Sequence, residues 1–189
     1  PVLVSLLNGI LSSISQSAVA FFGVYYKLQT FIYMPTSGIV QGMRPLMSYN
    51  YGAKLKERMH QILKVSGLVI AAILGAGTLL FFIVPNVLLS LFNASSGMLE
   101  IGETGLRILS LSFIVSSFGV LMSGVFEALG LGKYSLIVSL LRQLLITVPL
   151  AYILLNIMGI EGIWLSFVIA EAIASIVAYI LYRKKFKTI

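Results

Sequence analysis

The sequence predicts an all-α membrane protein, a polytopic helix bundle with five full transmembrane helices plus the end of a sixth. Three observations predict it. The 189 residues are 59% hydrophobic and 10% charged, whereas soluble domains carry about 25% charged residues, too many for this chain to match on a water-facing surface. Mean hydropathy is +1.03. The uncharged runs are long enough to cross hydrocarbon, which takes about 20 residues of helix, and basic residues gather between them.

The chain opens with Pro1 and an apolar stretch lacking the basic start of a signal peptide. Residues 1–11 read as the end of a truncated helix, so an N-terminal part holding whole helices is expected to precede it. Ser12 to Ser17 form a polar connection. A helix then covers 18–49 and contains Met34-Pro35, Gly38, Gly42 and Pro45. Proline removes a backbone hydrogen bond and crowds the preceding turn, and hydrocarbon offers the freed carbonyl no partner. Pro35, Gly38, Gly42 and Pro45 are therefore expected to break or bend this helix where it packs on neighbours or lines a cavity.

Residues 50–64 form a basic connector, itself with helical potential, carrying Lys54, Lys56, Arg58, His60 and Lys64. A span over 65–90 follows, then a turn-rich loop around Asn93-Ala94-Ser95-Ser96-Gly97. The next spans are 104–128, 134–157 (interrupted by Pro149) and 163–182, joined by turns at Gly130-Leu131-Gly132-Lys133 and Met158 to Gly162.

Charge fixes the expected orientation. Alternation puts Lys54, Lys56, Arg58, Lys64, Lys133, Arg183, Lys184, Lys185 and Lys187 on one side, while the loops 12–17, 93–103 and 158–162 hold no lysine or arginine. The positive-inside rule makes the basic side cytoplasmic, giving a multi-pass protein of the cell membrane with a cytoplasmic C-terminus. The net charge of +7 thus reflects span ends rather than a nucleic-acid surface.

Lys27, Arg142 and Glu171 fall inside spans. An ionisable group at bilayer depth costs about 2.5–3.5 kcal/mol on insertion scales and faces protein partners. Their depths allow Lys27–Glu171 or Arg142–Glu171 pairing, so all three are candidates for a buried ion pair or a coupling site. Tyr26, Lys27, Tyr33, Met34 and Gln41 are cavity-lining candidates, because aromatic and methionine side chains make adaptable walls and attract organic cations. Glu127 and Arg107 lie near helix ends within reach of water.

Several chemistries are excluded. The chain has no cysteine and no aspartate, hence no disulfide, no thiol chemistry and no metal-ligand cluster. It has no Gly-Lys-Ser/Thr phosphate loop, and its one histidine, His60, offers no serine a general base. No catalytic residue, cofactor or enzyme activity is expected.

The blocks Ala18 to Gln29, Met34-Pro35, Gly38 to Gly42, Pro45 and Tyr49 to Ala53, together with Ala128 to Ser135, Arg142, Pro149, Gly159 to Trp164 and Ala170-Glu171, resemble the MATE (multidrug and toxic compound extrusion) family. The resemblance implies one lobe of a twelve-helix secondary transporter, here the C-terminal lobe, partnered by a missing N-terminal lobe. It implies drug efflux, and so drug resistance, by export of amphipathic or toxic organic cations in exchange for H+ or Na+, with alternating access. One departure stands out: several family branches carry acidic ion ligands in the seventh helix or in the middle of the tenth, whereas here the surviving end of the seventh has none and the tenth offers Ser110, Ser112, Ser116 and Ser117 but no mid-span acid. The rival readings are a lipid-linked saccharide flippase of the same superfold, suggested by Lys27 and Arg142, and a non-transporting membrane scaffold.

Overall fold

The computed structural model describes residues 2–186; Pro1 and Lys187 lie outside them. The helices in order are α1 (Val2–Ser12), α2 (Gln16–Gly52), α3 (Lys56–Ile83), α4 (Pro85–Ser90), α5 (Ser96–Ala128), α6 (Gly132–Leu140), α7 (Thr147–Met158) and α8 (Ile160–Phe186), with a π turn at Leu141–Leu145 between α6 and α7.

Helix ends follow local chemistry. Ser15 caps α2 by accepting from the Ala18 N–H at 3.1 Å, and Ser95 caps α5 through the Met98 N–H at 3.3 Å. Pro85 opens α4 at a position where no N–H is needed. Gly130 and Gly159 supply the positive φ angles, 73° and 75°, of the turns that end α5 and α7. Asn93 adopts a φ of 52° in the loop before α5, a conformation asparagine tolerates.

Among the described residues, four helical units are long and apolar enough to cross a membrane: α3, α5, α6–α7 taken together, and α8. The fifth expected span, α2, has 37 residues but is less apolar, because Lys27, Gln29, Thr30, Ser37, Gln41 and Arg44 run along it.

Helix α5 is the spine. It packs against α2, α3 and α8 and buries the longest run of residues. Lipid supplies no hydrophobic drive between helices, so close packing over small residues must hold them together. Glycines provide that closeness. A Cβ on Gly105 would stand 2.7 Å from the Phe21 ring, one on Gly77 would stand 2.7 Å from Ile32, and one on Gly124 would meet Val40 at 2.5 Å. The core at one end is aromatic. Phe21 meets Trp164 edge-on at 5.1 Å, and Phe113 lies between Tyr25, Tyr33 and Phe81 at 6.4, 5.7 and 5.1 Å. Trp164, Tyr25, Phe21 and Phe113 are fully buried.

Two expectations about continuity are corrected. The 50–64 segment is a connector only at Ala53–Leu55, since Lys56 to Lys64 already belongs to α3. Pro35, Gly38, Gly42 and Pro45 do not break α2, which stays helical from Gln16 to Gly52. Both prolines are exposed, while Ile32, Val40 and Met43 pack on α3 and α5. The 134–157 span, where Pro149 was expected to interrupt the helix, is interrupted at Leu141–Leu145, just before that proline. Without an N–H to offer the Leu145 carbonyl, and with its ring crowding that carbonyl, Pro149 coincides with a widening of the turn before it. Ile146 N–H bonds Leu141 O at 3.3 Å, a five-residue step, and the Thr147 hydroxyl donates to the Arg142 carbonyl at 2.5 Å.

Candidate functional site

The π turn changes the direction in which Arg142 leaves its helix, and the side chain reaches α8. Its Nε donates to Glu171 Oε2 at 2.7 Å and its Nη2 to Oε1 at 3.0 Å. This two-pronged geometry is the strong form of the guanidinium–carboxylate interaction. Only 15% of the Arg142 side chain and 14% of the Glu171 side chain are exposed, so the pair is both largely buried and charge-neutral. Of the two pairings the depths allowed, the structure makes the one with Arg142.

Lys27 does not join it. It sits about 100° around α2 from Tyr26, exposed on the stripe that includes Gly23 and Phe31, and it contributes nothing to the cavity walls. Helix rotation, which depth does not reveal, decides this.

Beside the ion pair lies a cavity of about 440 Å³, within the range that takes a drug-sized ligand, about 300–1,000 Å³. Helix α2 supplies Phe22, Tyr26, Gln29, Thr30, Tyr33, Met34 and Ser37; Leu3 of α1, Arg142 and Gln143 of the π turn, and Phe167 and Glu171 of α8 complete it. Of the candidates, Tyr26, Tyr33 and Met34 are among its walls. Gln41 is not, lying exposed four residues beyond Ser37, the last α2 residue to reach the cavity.

Tyr33 is positioned from three sides. Its hydroxyl lies 2.6 Å from Ser116 Oγ. Since Ser116 gives its one hydrogen to the Phe113 carbonyl at 2.8 Å, Tyr33 is the donor to Ser116. Its ring stands edge-on to Phe113, and its oxygen borders Arg142. The α5 serines, noted in the sequence only for the lack of an acid among them, therefore include an anchor for a cavity tyrosine.

Phe22, Gln29, Thr30, Gln143 and Phe167 were missed as lining residues. Stepping back from Tyr33 by the i−3, i−4, i−7 and i−11 positions that share a helical face finds Thr30, Gln29, Tyr26 and Phe22, and so would have found these α2 members. The same step of four back from Glu171 finds Phe167; no sequence signal marks Gln143.

A second polar cluster lies at the end of the bundle that carries the basic residues. Arg44 of α2 bonds Glu127 of α5, and the Ser135 hydroxyl of α6 donates to the same carboxylate at 2.8 Å. Glu127, expected simply to reach water, ties three helices together. At the opposite end Arg107 pairs with Glu103 at 3.0 Å and donates to the Phe82 carbonyl at 3.2 Å.

The MatE family model matches residues 2–153. The chain is similar to the multidrug export protein MepA of Staphylococcus saprophyticus, 26% identical over 175 residues, which are 93% of this chain and 38% of that protein. MepA of Staphylococcus aureus strain N315 matches with the same identity and coverage. The chain thus spans well under half the length of these relatives. Its fold is that of an outward-facing multidrug resistance MATE family transporter of the MOP superfamily, with a TM-score of 0.91 at 22% identity over 99% of this chain and 43% of that one. A MOP superfamily transporter from Pyrococcus furiosus, described as having a binding pocket of reverse polarity, superposes with a TM-score of 0.91 at 21% identity over 98% of this chain and 42% of that one. The Vibrio cholerae MATE transporter VcmN gives 0.92 at 21% identity, over all of this chain and 43% of that one.

Proposed function

The chain belongs to the MatE family, and from that premise we propose that it forms the C-terminal lobe of a multidrug efflux protein. The whole protein works by secondary active antiport. It exports amphipathic or cationic compounds through alternating access in exchange for H+ or Na+, and it sits in the cell membrane with the lysine-rich end and the C-terminus in the cytoplasm. The partner lobe lies against the exposed stripe of α2 that holds Gly23, Gly38 and Gly42, where open space surrounds each glycine.

One observation carries this reading: an aromatic cavity of drug size opens directly onto the Arg142–Glu171 pair. The aromatic and methionine walls accept varied amphipathic shapes. Glu171 is the acid in the cavity, and Arg142 occupies both of its oxygens. An incoming cation or proton must compete with Arg142 for that carboxylate, and such competition is what exchange of drug for ion needs. The flippase reading loses support for the same reason. A pyrophosphate needs unpaired cations, Arg142 is neutralised by Glu171, and Lys27 lies outside the cavity.

The test is transport by the full-length protein in sealed vesicles, with extrusion of a cationic dye followed under an imposed proton gradient and, separately, a sodium gradient. Extrusion driven by one of them supports antiport and names the ion. Dye movement indifferent to both gradients overturns it.

A further inference from the structure

At the lysine-rich end, α3 and α8 both pack on α5 but not extensively on each other, which leaves a groove floored by α5. Two adjoining cavities occupy it, of about 200 and 350 Å³, sharing His60, Leu63 and Tyr182. The groove has a polar mouth and an apolar throat. At the mouth, Lys56, His60 and Lys64 recur every four residues along one face of α3, and all three are exposed. The throat is walled by Phe118, Leu121 and Met122 of α5.

We propose that this groove binds an anionic phospholipid, with its phosphate between Lys56 and Lys64 and an acyl chain lying along Phe118, Leu121 and Met122. Depth argues for a lipid. The apolar run of α3 begins directly after Lys64, which puts the lysines at headgroup level. Phe118 lies ten residues before the end of α5 at Ala128, roughly 15 Å further in at 1.5 Å per residue, where an acyl chain is the abundant apolar occupant. Charge argues for an anionic one. Among the described residues, Glu57 is the only acid bordering this mouth, beside Lys56, His60 and Gln61, so the two lysines outnumber it. Basic pockets between spanning helices near the cytoplasmic face are suited to acidic headgroups, each lysine adding favourable attraction.

The absence of cysteine from the chain permits a direct test, independent of transport. Leu63→Cys is introduced into the full-length protein after any cysteine outside these 189 residues has been replaced by serine, labelled with bimane and reconstituted into nanodiscs of phosphatidylcholine and phosphatidylglycerol. One or the other lipid carries brominated acyl chains, which quench the label on contact. The expected result is a preference for brominated phosphatidylglycerol that falls by roughly fivefold for each of Lys56→Gln and Lys64→Gln while quenching by phosphatidylcholine persists. Equal quenching by the two lipids, or a preference unchanged in the double variant, overturns an anionic site. Absence of quenching by either lipid shows the groove covered by protein and overturns the proposal altogether.

Discussion

Arg142 on the π turn and Glu171 on α8 are joined by two hydrogen bonds of 2.7 and 3.0 Å in parallel, and the candidate drug cavity opens onto them. The pair is at once a structural tie and the cavity's charged group. These roles are separable, because a tie can be replaced by neutral partners whereas an exchange site cannot.

Glu171→Gln or Arg142→Gln alone leaves an uncompensated charge in a largely buried position, which should destabilise the lobe by about 3 kcal/mol. The double variant removes both charges and should recover most of that loss. Transport should be lost in all three. Thermal unfolding in detergent and dye efflux from vesicles, each normalised to membrane abundance, check the split. Efflux that recovers together with stability in the double variant would make the pair structural only.

Pro149→Ala restores the N–H that a regular helix needs, so the widened turn at Leu141–Leu145 should tighten and swing Arg142 away from Glu171. Efflux should fall with abundance unchanged. Adding Glu171→Gln to Pro149→Ala should then bring less further loss of stability than it does in the unaltered protein. Additive losses would show that the ion pair does not depend on the π turn.

Gly105→Ala places a methyl group 2.7 Å from a Phe21 ring that is fully buried and locked against Trp164. Overpacking of this kind costs about 1–3 kcal/mol, and the midpoint of thermal unfolding should drop accordingly. Gly38→Ala, where nothing lies within 4 Å in this lobe, should leave the lobe's own packing unaffected. Its influence, if α2 receives the partner lobe, should appear in efflux instead.

Arg44→Gln breaks the link to Glu127, but 42% of one side chain and 39% of the other are exposed. An exposed pair contributes about 0–1 kcal/mol, and Ser135 still serves the carboxylate. The expected change in thermal stability is therefore small, well below that of Glu171→Gln. A comparable loss would mean that the Arg44–Glu127–Ser135 cluster is far less hydrated than its exposure implies.

Much of this was legible in the residues alone. The α-helical membrane class, the order of helices and the segregation of charge to alternate ends depend on properties summed along the chain. Hydropathy and the positions of lysine and arginine report those without knowledge of any neighbour. The intramembrane charges were legible too, since Arg142 and Glu171 stand out against long apolar runs.

Tertiary structure decided which of those charges meet. Sequence spacing gives depth along a helix, but the facing side depends on how each helix is rotated against the others. That rotation separated Tyr33 and Tyr26, which face the cavity, from Lys27, which does not. It is also why Pro149 mattered more than Pro35 or Pro45. The surroundings of the prolines differ as well: Ile32 and Val40 seat α2 closely on Gly77 and Gly124, whereas the turn before Pro149 carries Arg142, whose side chain pairs with Glu171.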